Sequence, residues 1–171
     1  MRDILLVDGY NVIHAWPVLK ARKDILEDAR DKLIDMMAGY GAFENLEVTI
    51  VFDANAVRGV GVFEQTIGKV AVIYTREEET ADSYIEKMAY DMVRQGRRVY
   101  VVTSDRVEQL VILGVGAYRI SARELLQDVK RVNKLIKEGF SETERTHRRH
   151  ELENRLNSDV VKRLHELRKR V

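Results

Sequence analysis

ILLVD (Ile4 to Asp8) and VTIVFD (Val48 to Asp53) decide how this chain folds. Each is a short run of branched apolar residues without polar alternation, the signature of a strand buried on both faces, and each ends in aspartate. Each strand therefore delivers a carboxylate at its C-terminal end. Between them Ile25, Ala29, Leu33, Ile34, Met36 and Met37 recur at helical spacing, and Gly39 and Gly41 are expected to stop that helix. The first fifty residues thus read as a β-α-β unit.

Further along, KVAVIYT (Lys69 to Thr75), a helix, RRVYVVTSD (Arg97 to Asp105), another helix ending near Gly114, a short strand at Ala117 to Ile120 and a helix from Ser121 keep the same alternation. Strands alternating with helices predict an α/β fold with a central parallel sheet covered on both faces. RGVGVFEQTIG (Arg58 to Gly68) reads as a flexible excursion before the third strand. After Gly139, Leu152, Leu156, Val160, Leu164, Leu167 and Val171 fall at steps of three and four, which predicts a long C-terminal amphipathic helix. The expected division is a domain over 1–138 and a basic helical extension over 139–171, docked on the domain or on a partner.

With 171 residues, 45% of them apolar and 33% charged, the chain can build one core and is too apolar for disorder. The absence of cysteine excludes disulfides, a thiolate nucleophile and Cys-bearing zinc sites. No run approaches the ~20 apolar residues that span a bilayer, so no membrane is expected and the location is read as cytoplasmic. Lys and Arg number 29 against 28 Asp and Glu, a net charge of +1. That average hides an asymmetry: residues 121–171 carry 14 against 9, leaving 15 against 19 in residues 1–120, so the body is acidic and the tail basic.

Ligands of open parallel sheets bind outside the carboxyl ends of the strands, where the strand order reverses. Asp8, Asp53 and Asp105 follow three strands and so point to one edge. Thr75 with Glu78 gives the T-x-x-E of a capping box, which would start a helix whose early turns carry Glu78, Glu79, Asp82 and Glu86. Glu78, Asp82 and Glu86 are spaced by four and would repel one another unless a cation relieves them. Carboxylates clustered without His or Cys suit a hard ion, Mg²⁺ or Mn²⁺, one or two of them, and a phosphodiester substrate. Each aspartate also has a structural reading as a turn residue or helix N-cap. Asn11 can hold a phosphate or a water, or stabilise its turn, and Ser104 can hold Asp105 in place. Tyr10, Trp16 and Phe63 can stack on bases or anchor loops. His147 and His150, three apart in the tail, have a spacing open to a ligand or a surface role.

The blocks VDGYNVIH (Val7 to His14), VFDA (Val51 to Ala54), ETADSYIEK (Glu79 to Lys87), VVTSDRVEQ (Val101 to Gln109) and SARELL (Ser121 to Leu126), in this order, resemble the YacP-like branch of the NYN family, related to PIN-domain nucleases. The resemblance covers roughly residues 3–138. It implies a PIN-like (NYN) three-layer fold and metal-dependent endoribonuclease activity, of the ribosome-associated type that cuts messenger RNA in the A site, with RNA and a translating ribosome as partners. Family acids fall on Asp8 and Asp82, with Asp105 and Asp53 completing the metal set, and Asn11 matches the D-G-Y-N turn. Arg145, Arg148, Arg149, Lys162, Arg163, Arg168, Lys169 and Arg170 are the basic residues expected to contact RNA or the ribosome. A rival from another class is a non-catalytic RNA- or ribosome-binding protein on the same fold. A haloacid dehalogenase is disfavoured because Tyr10 stands where its second Asp belongs, and no phosphate-binding glycine loop occurs.

Overall fold

The computed structural model describes residues 2–21, 25–53, 63–103 and 112–138. Residues 1–133 make one compact unit and the chain from Lys134 belongs to a second. Five segments form parallel strands: β1 (Ile4–Asp8), β2 (Glu47–Phe52), β4 (Val70–Tyr74), β5 (Val99–Val102) and β6 (Tyr118–Ile120), with β3 (Phe63–Ile67) between β2 and β4 in the chain. The helices among the described residues are α1 (Gly9–Ala15), α2 (Pro17–Lys20), α3 (Leu26–Glu44), α4 (Ala81–Arg94) and α5 (Ala122–Lys137). Strand order is β3-β4-β2-β1-β5-β6. The chain builds outward from β1 through β2 to β4, then returns to the other side of β1 with β5, which places the reversal between β1 and β5.

β1 is buried along its whole length because it lies in the middle, between β2 (Asp8 level with Val51) and β5 (Val7 level with Val102). Its side chains alternate between two cores. Leu5 and Val7 pack with Ile50, Phe52 and Val72 under α1, α2, α3 and α5, through residues such as Val12, Leu19, Leu33 and Leu125. Ile4 and Leu6 pack on the opposite face with Val51, Ile73 and Val101 under Ala81, Ile85 and Ala89 of α4. Helices on both faces of the sheet give the three layers expected, and no described helix is long and apolar enough to cross a membrane.

Three local expectations are corrected. The segment read as a flexible excursion ends in β3, which pairs antiparallel with β4 through a two-residue turn where Gly68 takes φ 64°. Only glycine adopts that backbone freely, so Gly68 makes the hairpin turn from β3 into β4. Gly39 and Gly41 do not stop α3, which runs on to Glu44 and ends at Asn45 in the left-handed region, φ 58°. A glycine inside a helix costs about 1 kcal/mol against alanine, but a Cβ at Gly41 would crowd Val48 of β2 at 2.6 Å, so its place is set by close packing on the sheet. The capping box is not at Thr75 and Glu78. Thr80 caps α4 by accepting from the Ser83 amide at 3.2 Å, which leaves Glu78 and Glu79 outside the helix and dissolves the expected Glu78 and Asp82 pair. A reciprocal box does form at Ser121 and Glu124, with bonds of 2.7 and 3.1 Å, and starts α5. The predicted C-terminal helix, its eight basic residues and its histidines lie outside the described residues, as do Ser104 and Asp105.

Candidate active site

Asp8 occupies the point where β1 becomes α1. It is the last residue of the strand and the N-cap of the helix, with its Oδ1 accepting from the Asn11 amide at 3.0 Å. The turn is tight because Gly9 carries no side chain: a Cβ there would overlap the Phe52 ring of the neighbouring strand. Asp8 is 9% exposed, and burial is the largest influence on its carboxyl, raising its pKa from 3.8 to about 7. The Asn11 amide works in the other direction. The charge of Asp82, a side-chain hydrogen bond to Asp82 and the charge of Asp53 all raise it further.

Asp82 comes from the opposite layer, in the first turn of α4. Its helix start is tied to the sheet by Asp53, at the end of β2, whose Oδ1 accepts from the Ala81 amide at 2.6 Å. That bond satisfies one of the unpaired amides of the helix N-terminus and holds α4 so that its positive end faces the carboxylates. The capping role set beside the catalytic one for Asp53 is therefore realised, through a distant helix. Asp8, Asp53 and Asp82 are brought to one edge, the carboxyl edge of β1 and β2. At that edge Thr75 and Thr103, both fully buried, extend the ladder by donating to the carbonyls of Phe52 at 3.0 Å and Ile120 at 3.2 Å.

Asp8 and Asp82 stand in side-chain contact at a buried edge, which disfavours the charge on Asp8, an effect that a cation there would relieve. Such a pair fits Mg²⁺ or Mn²⁺, which take one or two protein carboxylates and fill the remaining positions with water and substrate phosphate. Among the described residues no group of three or more His, Asp or Glu is arranged to hold a metal ion.

Of the aromatic candidates, Trp16 is fully buried and its Nε1 donates to the Ala122 carbonyl at 2.7 Å, so it is an anchor between α1 and α5 and cannot stack on a base. The Tyr10 ring meets Phe52 edge-on at 5.1 Å. Phe63 opens β3. Arg30 and Tyr74 were not singled out from sequence, yet they line the same edge: the Arg30 guanidinium lies 5.7 Å from the centre of the Tyr74 ring, which stacks on Phe52 at 5.5 Å. Arg30 stands among Asp28, Asp31 and Lys32, and in such a run a cation looks like part of a solvated face.

A family model of the YacP-like NYN domain matches residues 5–169. The chain belongs to the YacP-like NYN family. The uncharacterized protein YacP of Bacillus subtilis strain 168 is 49% identical over 135 residues, which cover 78% of this chain and 79% of that protein. A crystal structure of Rae1 (YacP) from Bacillus subtilis superposes with a TM-score of 0.70 at 42% identity, over 98% of this chain and 95% of that one. A mutant form of the same protein gives 0.70 at 46% identity over 80% of each chain. Fold and family agree on a nuclease-type, RNA-related domain.

Proposed function

We propose that this protein is a metal-dependent endoribonuclease that hydrolyses phosphodiester bonds of messenger RNA in association with the ribosome, at the A site. The observation that carries the reading is the contact between Asp8 and Asp82, contributed by opposite layers of the fold, beside the strand-order reversal. A buried pair of like charges weakens a fold unless a ligand uses it. In this reading Asp8 and Asp82 hold the metal, Asp105 and Asp53 complete the metal set, and Asp53 also keeps α4 in place. Asn11 orients the attacking water or a phosphate oxygen. Bound at the pair, Mg²⁺ or Mn²⁺ would lower the pKa of that water and offset charge on the leaving oxygen. The water oxygen bonds to phosphorus, the bond from phosphorus to O3′ breaks, and the products carry a 5′-phosphate and a 3′-hydroxyl.

An acidic edge repels bare RNA, so attraction has to come from elsewhere in the chain. Arg145, Arg148, Arg149, Lys162, Arg163, Arg168, Lys169 and Arg170 supply it in this reading, with a strong dependence on salt. The cytoplasm, where translation occurs, is the matching location. The test is mapping of RNA 5′ ends in cells with the wild type, Asp8→Asn and Asp82→Asn, with and without active translation. Translation-dependent 5′-phosphate ends that vanish in both variants support the proposal. Equal cutting of naked RNA removes the ribosome from it, and RNA binding without any cutting by purified wild type in Mn²⁺ leaves the binding-module reading instead.

A further inference from the structure

The edge of the sheet beyond β1 and β5 carries an aromatic pair that the cleavage chemistry does not use. Tyr100 of β5 and Tyr118 of β6 stand directly opposite each other, and their rings lie 5.3 Å apart with a tilt of 31°. Tyr100 packs inward on the core beneath α5. Tyr118 leans on it and remains 55% exposed. Arg98, just before β5, donates to the Tyr100 hydroxyl and faces Asp3 at 3.4 Å. The outer ring therefore rests on a neighbour that is itself held in place.

Cations of α5 border this pair. Asp128 and Arg131 turn toward α3, where Arg131 bonds Glu44 at 3.2 Å and Asp128 acts on Tyr40. α3 packs on β2 and β4, so the opposite flank of α5 lies on the side of β5 and β6. Arg123, Leu126 and Lys130 share that flank, at steps of three and four. Leu126 packs on the same core as Tyr100. Arg123 and Lys130 are exposed and form no ion pair among the described residues. The acids nearby are engaged, Asp3 with Arg98 and Glu124 with the Ser121 amide at 2.7 Å.

An open ring backed by a second ring and bordered by cations suits a polyanion that has flat faces. Single-stranded nucleic acid is such a ligand: its bases stack on aromatic rings whatever their identity, and its phosphates meet the cations. The centre of a protein interface is instead apolar and depleted of charge. Tyr100 is level with Leu5, three residues before Asp8, and β6 lies two strands from β1. At ordinary strand spacings the pair is about 14 Å from the Asp8 position, so one short strand can reach both.

We propose that Tyr118, backed by Tyr100, is a stacking platform for one unpaired base of single-stranded RNA, with Arg123 and Lys130 taking neighbouring phosphates. The proposal rests on the nuclease reading and names its substrate class, because a base inside a duplex has no free face to offer. The platform anchors the strand a short distance from the acidic pair and supplies an attraction that the carboxylates lack.

The test measures binding of a short fluorescein-labelled oligoribonucleotide to the full chain by anisotropy in EDTA. The proteins are wild type, Tyr118→Ala, Tyr118→Phe and the double variant Arg123→Gln with Lys130→Gln. Tyr118→Ala weakens binding about tenfold, the effect of losing one stacked base, whereas Tyr118→Phe keeps the ring and binds within about twofold of wild type. The double variant lowers the slope of log Kd against log salt by about 1.4, at about 0.7 per phosphate of a single strand. A blunt-ended RNA duplex of the same sequence binds Tyr118→Ala and wild type equally. In Tyr118→Trp, the added indole emission is quenched by the single strand and not by the duplex. Wild-type RNA affinity in Tyr118→Ala overturns the platform and leaves the ring to a protein contact. Equal losses in Tyr118→Ala and Tyr118→Phe, an unchanged salt slope in the double variant, or no binding of the single strand by wild type overturns it too. Failure of the nuclease reading has a different signature: Asp8→Asn and Asp82→Asn cut RNA in Mn²⁺ as the wild type does, while the Tyr118 effect on binding persists.

Discussion

Replacing Asp8 by asparagine removes a buried ionisable group and keeps the rest of the turn. Asparagine is as good an N-cap as aspartate, so its Oδ1 can still accept from the Asn11 amide, and its Nδ2 can donate to Asp82 as the protonated acid does. The carboxyl pKa rises from 3.8 to about 7 on folding, so the folded state holds this proton about a thousandfold more tightly, on the order of 4 kcal/mol. Below the unfolded pKa both states are protonated and the group costs nothing. As pH climbs past 3.8 the unfolded chain ionises while the fold does not, and stability falls until Asp8 itself ionises near 7. The wild type therefore loses ground to Asp8→Asn as pH rises, by about 2.5 kcal/mol between pH 5 and pH 8. With a urea m-value of about 1–3 kcal/mol per molar, the gap between their midpoints widens by roughly 1–2 M in EDTA. Millimolar Mn²⁺ at pH 8 closes most of that gap, because the ion stabilises only the protein that retains the pair. Urea titrations of both proteins at pH 5, 6, 7 and 8, with and without Mn²⁺, provide the measurement. Parallel stability curves that never diverge with pH would refute the reasoning about Asp8 outright.

Substitutions at three further positions probe the scaffold around the pair. Asp53→Ala deletes the acceptor for the Ala81 amide and is expected to cost about 1 kcal/mol, whereas Asp53→Asn retains most of it; hydrogen exchange at the start of α4 should rise only in the alanine variant. Gly9→Ala forces a methyl group into the Phe52 ring and should cost about 1–3 kcal/mol, read as a lower urea midpoint. Trp16→Phe removes the indole donor to the buried Ala122 carbonyl, with an expected loss of about 1 kcal/mol; an unchanged melting temperature would show that this bond contributes nothing to stability.

Most of the layered architecture is legible from two apolar runs ending in Asp, because a strand buried on both faces has no polar alternation to confuse it. The helix between them is equally legible at its start and not at its end. A glycine signals a stop only when its backbone is needed there, and Gly41 is needed for its lack of side chain against Val48. The edge strand β3 was hidden because a two-residue turn at Gly68 looks like loop punctuation until its antiparallel partner is known. At the site, the carboxylates of Asp8 and Asp82 follow from strand ends and family blocks. The work of Asp53 in holding α4 does not, since its partner is an amide in a distant element. Arg30 was equally invisible: one cation in an acidic helical run carries no mark of the ring it rests on.

Mn²⁺ binding followed by titration calorimetry in two buffers of different ionisation enthalpy counts the protons released when the acidic pair takes up the ion. With an Asp8 pKa of about 7, the wild type should release about 0.9 proton at pH 6, about 0.5 at pH 7 and about 0.1 at pH 8, while Asp8→Asn binds the ion weakly and releases none. Equal Mn²⁺ affinity in both proteins, with no proton released at any of these pH values, would contradict the claim that Asp8 and Asp82 are the seat of the metal and of the chemistry it serves.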